Sequence, residues 1–424
     1  MPEIPFPRGV RDLMPNEALF RNELIKKVEE IYQRFGFINI DTPSFERLEV
    51  LSAKGGIGDE GNKQIFEIKD ENAALRYDHT VSLARYLAVH QSLPMPFKRY
   101  YIGKAWRKEE PQKNRYREFT QADVDIVGGE KAVSDAEAIA AIATAFDEIG
   151  VEYAVRIGSR EVLNSFLNSI GIDAKRHVDI MRVMDKYDKI GIDGVNVELE
   201  RLGVEKSKID EISSFMSKEG TNEEKIEFAK DVTKDEKCLE EISDTLQLLP
   251  LYKIRGKAVV DFGVVRGIDY YTGIVMEFST PDMKASICGG GRYDNLIQLY
   301  KGKSYPAVGV SMGIDRIMDL LDFKSSERIT YAKVFVAYVK ENNKQRAIEV
   351  AQILRANSIN TDLNLAKRNL ANQLAYADAL KLKYAIIIGD AEEKAGKVRL
   401  RNLISGEEEL LTIDEAIEEL REKN

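Results

Sequence analysis

A short turn where arginines, carboxylates and aromatic rings alternate is the first feature of chemical interest in this chain. Trp106-Arg107-Lys108-Glu109-Glu110-Pro111-Gln112-Lys113-Asn114-Arg115-Tyr116-Arg117-Glu118-Phe119 joins two strand-like runs. An arginine at the end of the first run can present a planar fork of N–H donors to a phosphate. An aromatic on the returning run offers a face for a purine, and the basic loop between them suits a nucleic-acid backbone. The competing reading is a solvated charged turn, which would not require Trp106, Tyr116 and Phe119 nearby. Immediately afterwards Gln121, Asp123 and Asp125 alternate with apolar residues, so their polar groups share one sheet face. Such a row either points to solvent or lines a site that reads a polar ligand.

Three further stretches combine unusual residue types. Val265-Arg266-Gly267-Ile268-Asp269-Tyr270-Tyr271-Thr272-Gly273 puts an arginine, a carboxylate and paired tyrosines between two strand-like runs. Gly289-Gly290-Gly291-Arg292-Tyr293-Asp294 removes side chains where something must approach the backbone closely, and reads as a turn. Val308-Gly309-Val310-Ser311-Met312-Gly313-Ile314-Asp315-Arg316 reads as strand, turn and helix, and a helix N-terminus favours anions. By contrast, Gly56-Ile57-Gly58-Asp59-Glu60-Gly61 matches the dinucleotide fingerprint only in letters. A strand must precede that fingerprint and a helix follow it, whereas here a helical run precedes and the strand-like Gln64–Ile68 follows. A flexible loop is the better reading. No Gly-rich loop ends in Gly-Lys-Ser/Thr, so P-loop chemistry is excluded.

The elements that must position these groups follow from apolar spacing. Phe20, Leu24, Val28, Ile31 and Phe35 recur at threes and fours, which predicts an amphipathic helix from Asn16 to Phe35. Phe37–Pro43 reads as a strand ending at a proline, and Gln64–Ile68 with Ala73–Tyr77 as a hairpin. Thr80–His90 is helical, Phe97–Trp106 and Tyr116–Val127 are the strands flanking the charged turn, and Ser134 is placed as N-cap of a helix reaching Ile149. From about Asn168 to Gln247 the chain loses strand-like runs and becomes Lys/Glu-rich with helical periodicity, a small helical insertion. Strands resume at Ala258–Phe262, Ile274–Phe278, Ala285–Cys288 and Ala307–Val310, followed by a helix over Gly313–Leu321. After a polar break, strands and helices alternate from Lys333 onward, an independent α/β domain.

Composition bounds the setting. The chain has 424 residues, 44% of them apolar and 31% charged, which suits several soluble domains. Neither a membrane-spanning run nor a secretory signal is visible, and two cysteines with three histidines make a disulfide framework or a zinc site improbable. The expected compartment is the cytoplasm. The net charge of −9 hides its distribution. Lys98–Arg117 has eight basic residues against two acidic, a local +6, and Lys333–Gly406 has thirteen against seven, again +6. Asn196–Thr245 and Glu407–Asn424 are acidic, at −7 and −6. Two basic zones in acidic surroundings are either a nucleic-acid footprint or uneven solvated surface.

Taken in order, these segments resemble class II aminoacyl-tRNA synthetases, and within them the histidyl-tRNA synthetase family. The similarity runs from Arg8-Gly9-Val10-Arg11-Asp12 through the C-terminal α/β domain. The long helix and the strand ending at Pro43 correspond to motif 1 of the class, the Arg107 hairpin to motif 2 and the helix with Arg316 to motif 3. The Arg266–Tyr271 and Gly289–Asp294 segments are the histidine-specific signatures. The resemblance implies an α+β fold, with an antiparallel β-sheet catalytic core flanked by helices, a helical insertion and a C-terminal α/β anticodon-binding domain. Its divisions are 1–167 and 248–325 for the core, 168–247 for the insertion and 328–424 for the anticodon-binding domain.

The activity that the resemblance implies is activation of histidine with ATP, then transfer to the 3′ end of histidine tRNA by a homodimer, with Mg²⁺ bridging the phosphates. Arg107 and Arg266 carry the catalytic role. Glu109, Phe119 and Arg316 join Arg107 around ATP. Asp78 and Thr80 take the α-amino group, while Gln121, Asp125, Tyr270 and Tyr271 surround the imidazole. Gln112 and Arg115 meet the tRNA acceptor end. Against the commonest bacterial pattern of the family, Arg76-Tyr77-Asp78-His79-Thr80 and Asp125 each shorten a carboxylate by one methylene, as archaeal and eukaryotic forms do. His79 is unusual even so, and reads as a structural turn residue. The alternative is a non-catalytic regulatory subunit of ATP phosphoribosyltransferase. That paralogue typically lacks the C-terminal domain and degrades the Arg266 segment, and this chain retains both.

Overall fold

The structure is a computed structural model that describes residues 6–52, 63–111, 115–266, 270–300, 303–321 and 328–422. The glycine-rich loop at 56–61, Gln112 and residues 267–269 lie outside the described residues. The described residues form two compact units. One is drawn from the chain up to Arg11 and from Leu24–Leu321, the other from Asp12–Glu23 and the residues after Leu321.

The first unit is built on strands β1 (Ile38–Asn39), β4 (Phe97–Trp106), β5 (Glu118–Val127), β6 (Ala154–Ser159), β7 (Lys257–Val260), β8 (Ile274–Thr280), β9 (Met283–Arg292) and β10 (Ala307–Gly313). They form one eight-stranded sheet in the order β1-β4-β5-β10-β9-β8-β6-β7. Only the outermost pairs, β1 with β4 and β6 with β7, are parallel; every inner pair is antiparallel. A small second sheet pairs β2 (Phe45–Arg47) with β3 (Ala73–Leu75). The expected antiparallel core is therefore present.

Helices cover this sheet. Lys131–Ile149 buries Ala136, Ala138, Ala140, Ala141 and Ala145 completely, and these small side chains let it lie close against β10 and β5. This helix starts earlier than its sequence suggested. Glu130, in extended conformation, is the N-cap, and Ser134 N already donates to Glu130 O at 3.0 Å. Gly129 has no Cβ where Ser134 Oγ sits, so the serine packs against the turn instead of capping the helix. The strand β6 is a second departure, a short run in which buried Val155 and Ile157 alternate with half-buried Ala154 and Arg156. After it, helices run from Arg160–Ser169 to Glu240–Leu248, stitched by a stack of Phe166, Phe215 and Phe262 with ring centroids 4.0 and 4.4 Å apart. A capping box at Thr221 and Glu224 starts the helix Asn222–Thr233.

In the second unit, β11 (Val334–Tyr338) lies between parallel neighbours β12 (Thr361–Leu363) and β13 (Tyr384–Ile388), with β14 (Val398–Asn402) and β15 (Glu408–Leu411) added antiparallel. Both β11 and β13 are buried at every residue, as parallel strands covered on both faces must be. Helices Lys344–Ala356 and Leu370–Ala379 make the crossovers. A closing helix, Ile413–Glu422, is a further departure; Ile413, Ala416, Ile417 and Leu420 recur at helical spacing, and the last three are buried.

Candidate active site

The register of the large sheet decides what can gather on it. Gln121, Asp123 and Asp125 of β5 stand opposite Gly313, Ser311 and Gly309 of β10, which in turn face Gly289 and Gly291 of β9 through Ser311 and Gly309. The floor beside the three polar side chains is thus nearly free of side chains. The sequence suggested a turn at Gly289–Asp294, but β9 continues straight through to Arg292. The glycines answer close approaches from several sides. A Cβ on Gly290 would lie 2.0 Å from Gly309 O of the next strand, one on Gly289 2.4 Å from Arg266 Nη1, and one on Gly291 2.8 Å from the Tyr271 ring.

Two adjoining chambers open on this floor. Arg107, Glu109, Arg115, Phe119, Arg266 and Arg316 are among the residues lining the outer one, and Asp78, Thr80, Asp123, Asp125, Tyr270 and Tyr271 are among those lining the inner one. Arg107, Gln121, Arg266, Gly289 and Ser311 line both. Their cavity volumes are about 140 and 40 Å³, so the outer chamber is the roomier. Every described residue named from the sequence as a site residue lines one of the two, while Gln112 is outside the described residues.

The outer chamber is a nest of cations. Arg107 Nε donates to Tyr77 O at 3.0 Å, and its guanidinium lies 5.1 Å from the Phe119 ring centroid. Arg316 donates to Ser286 O, and Arg115 is paired with Glu109. Burial, then the neighbouring Arg115, Arg107 and Arg266, push the Arg316 guanidinium below its ordinary value. Burial alone would raise the Glu109 carboxyl, but Arg115, Arg107 and Arg316 outweigh it and hold it low. Four arginines against Glu109 and Asp315 leave the lining with a surplus of positive charge that suits an anion. Asp315, which lines the same chamber, accepts from Thr120 N at 2.7 Å and is committed to joining its helix to β5.

Arg266 stands at the wall with left-handed backbone, φ +56, a conformation uncommon outside glycine. Its Nη1 lies 2.8 Å from Glu277 Oε1, and its carbonyl accepts from Arg160 Nη2 at 3.2 Å. Burial opposes its charge, but Glu277 and then Tyr271 overcome this and raise its pKa, so it stays a cation. Glu277 was not visible as a partner in the sequence; it is one polar residue in an apolar strand, and only the pairing of β8 with β9 brings it to the wall.

The inner chamber is rich in acceptors. Asp78 Oδ1 accepts from Val81 N at 3.0 Å, in the first turn of the helix Thr80–Val89, and its Oδ2 faces the Tyr270 hydroxyl at 3.4 Å. Asp125 accepts the Tyr293 hydroxyl and lies 2.8 Å from Arg99 Nη2. Burial pushes the Asp125 carboxyl up to about 6, with Arg99 pulling it down and Asp123 pushing it up. Tyr270 stands edge-on to both Tyr271 and Tyr293. Behind this chamber His79 Nδ1 meets Asp123 Oδ2 at 2.8 Å, and its Nε2 faces Lys104 O at 3.3 Å.

Comparisons with known proteins agree with this geometry. Residues 9–317 match the family model described as "Histidyl-tRNA synthetase", and residues 333–423 match "Anticodon binding domain". The histidine–tRNA ligase of Korarchaeum cryptofilum is 40% identical over 99% of both chains. The crystal structure of histidyl-tRNA synthetase from Nostoc sp. PCC 7120 is 29% identical, with TM-score 0.86 over 100% of both chains. A Bacillus halodurans structure titled "ATP phosphoribosyltransferase regulatory subunit/histidyl-tRNA synthetase" is 23% identical with TM-score 0.76, covering 91% of this chain and 98% of its own, and shares the fold. With its family model spanning residues 9–317 and a relative similar along nearly the whole length, the chain belongs to the histidyl-tRNA synthetase family.

Proposed function

We propose that this chain is a histidine–tRNA ligase that joins histidine to ATP, releases pyrophosphate, and transfers the histidyl group to the 3′ end of histidine tRNA. The observation that carries this reading is the shared wall, where Arg107 and Arg266 line both the cation-rich outer chamber and the acceptor-rich inner one. Adenylate formation is an in-line attack by a carboxylate on the α-phosphate. Two anions must meet, and fixed cations between them lower that barrier because they need not reorganise. Arg107 holds the α-phosphate and Arg266 approaches it from the histidine side. Arg316 and Phe119 hold the adenine between them, with Glu109 close by. No side chain forms a covalent intermediate.

Mg²⁺ fits the outer chamber as an ion carried in with ATP. Among the described residues no three His, Cys, Asp or Glu side chains gather to hold a metal by themselves. A cation that keeps most of its bonds to phosphate oxygens and water needs few carboxylates from the protein. When bound it would offset the phosphate charge.

Asp78 and Thr80 take the α-ammonium end of histidine; Gln121, which the resemblance put beside the imidazole, lines both chambers and so stands nearer the wall between them. Asp125, Tyr270 and Tyr271 enclose the imidazole. A buried, hydrogen-bonding pocket of this kind leaves its groups unpaired with a side chain lacking ring nitrogens, which gives roughly 10⁴–10⁵-fold rejection. Arg115 and Gln112 meet the acceptor end of the tRNA, and the second unit reads the anticodon loop, whose unstacked bases are open to stacking and hydrogen bonding.

The active form is a cytoplasmic homodimer joined through the first helix and strand. Charging of histidine tRNA by the purified chain with ATP and Mg²⁺ tests the reading, and failure to charge it with histidine would remove it.

A further inference from the structure

One buried side chain in the inner chamber lacks an assigned task. Asp123 is only 3% exposed, and its Oδ2 is taken by His79. Its Oδ1 makes no hydrogen bond of ordinary geometry among the described residues, although the Ser311 hydroxyl across the strand pair helps hold the carboxyl ionised and the side chain lines the inner chamber. A buried carboxylate oxygen left unpaired costs free energy unless a ligand supplies the donor. The carbonyl oxygen of Gln121, two residues along the same face of β5, is likewise unpartnered, because its amide nitrogen donates to Ser311 Oγ at 2.6 Å.

We propose that Asp123, oriented by His79, binds the α-ammonium group of the substrate amino acid, a role that rests on the function proposed above. An ammonium carries three N–H donors and no acceptor. Asp123 Oδ1, Gln121 Oε1 and the weakly engaged Asp78 Oδ2 offer three acceptor oxygens in the inner chamber. Position along the strand agrees. Residues two apart on one face are about 7 Å apart, so Gln121 at the wall, Asp123 and Asp125 mark successive depths. The carboxylate of the substrate must face the wall to reach the α-phosphate, and its ammonium is two bonds away from that carboxylate carbon. The ammonium therefore lies at the level between Gln121 and Asp123, while the ring reaches inward to Asp125.

The charge of the site agrees as well. Burial alone would raise the Asp123 carboxyl, yet His79 and then Arg99 hold it below its ordinary value, so it stays ionised for a cation. His79 is a positioning residue. Both its ring nitrogens face acceptors, Asp123 and Lys104 O, and the edge of its ring meets Tyr101 at 4.5 Å between centroids. It engages Oδ2 and leaves Oδ1 for another donor.

Two probes separate the ammonium from the ring: L-histidinol has both groups, and imidazole-4-propionate has the ring without the amine. Titration calorimetry on the full chain is expected to show histidinol binding weakened roughly 10–100-fold by Asp123→Asn, with imidazole-4-propionate changed less than about twofold. His79→Gln is expected to give the same selectivity with a smaller loss, about 3–10-fold, and Asp123→Ser carries the test if the asparagine variant does not fold. Equal losses for both probes, or no loss for histidinol, would overturn the assignment. If instead the unaltered chain binds no histidinol and shows no histidine-dependent pyrophosphate exchange, the proposed function fails and this inference with it.

Discussion

Replacing Arg266 by alanine separates catalysis from folding in a way that the structure makes quantitative. The guanidinium stands at the wall between the chambers, where negative charge builds up as carboxylate and α-phosphate meet. Removing one preorganised donor of this kind raises a barrier by about 2.7–4 kcal/mol, equivalent to a fall in kcat of roughly 10²–10³-fold. The fold is expected to survive, because Glu277 does not lose its only cation. Arg156 Nη1 remains 3.8 Å from Glu277 Oε2, so the loss stays below the roughly 3–5 kcal/mol of a stranded buried charge. A second variant sharpens the test. Residue 266 has φ +56, so Arg266→Gly avoids about 1 kcal/mol of left-handed strain that Arg266→Ala retains. The glycine variant is expected to melt higher than the alanine variant, while histidine-dependent ATP–pyrophosphate exchange is equally crippled in both. Exchange within a few-fold of the unaltered chain in either variant would refute the reasoning. So would a loss of activity that tracked melting temperature.

Other consequences are open to simpler measurements. Asp125→Asn is expected to raise the KM for histidine far more than that for ATP. Because burial pushes the Asp125 carboxyl up to about 6, it is ionised above that pH and protonated below it. The histidine KM of the unaltered chain should therefore climb as pH falls through about 6, with that component absent from the asparagine variant. Sedimentation should give twice the mass of a single chain at working concentrations, and a fully active monomer would count against the dimer. Deleting residues 328–424 should spare much of the pyrophosphate exchange, since all the arginines lining the chambers precede them. Charging should fall by orders of magnitude and tRNA binding should become less salt-sensitive, as fewer phosphates are neutralised. A soluble truncated chain that charged tRNA normally would require another role for this unit.

Much of the site was legible because its groups lie on short, regular segments. Gln121 and Asp125 show in the sequence through the two-residue period of a strand, and the Arg107 hairpin through its cations between aromatic runs. Asp123 has the same period, yet its open oxygen depends on His79, which arrives from the start of a helix 44 residues earlier. Glu277 and Arg99 became partners of Arg266 and Asp125 only through strand pairing, which local pattern does not encode. The glycine run at 289–291 looked like a turn because glycine is rare inside strands. Here it continues a strand whose neighbours crowd it from both sides. β6 and the closing helix do carry the period of their elements, Val155 and Ile157 two apart and Ile413, Ala416, Ile417 and Leu420 at threes and fours, but the runs are only six and ten residues long.

The most direct test of the central claim is ATP–pyrophosphate exchange by the purified chain with each of the twenty amino acids in turn. The two-chamber account predicts exchange with histidine alone, dependent on Mg²⁺, and lost in Arg107→Ala and Arg266→Ala. Exchange driven by a different amino acid, or none with histidine in a folded protein, would contradict it.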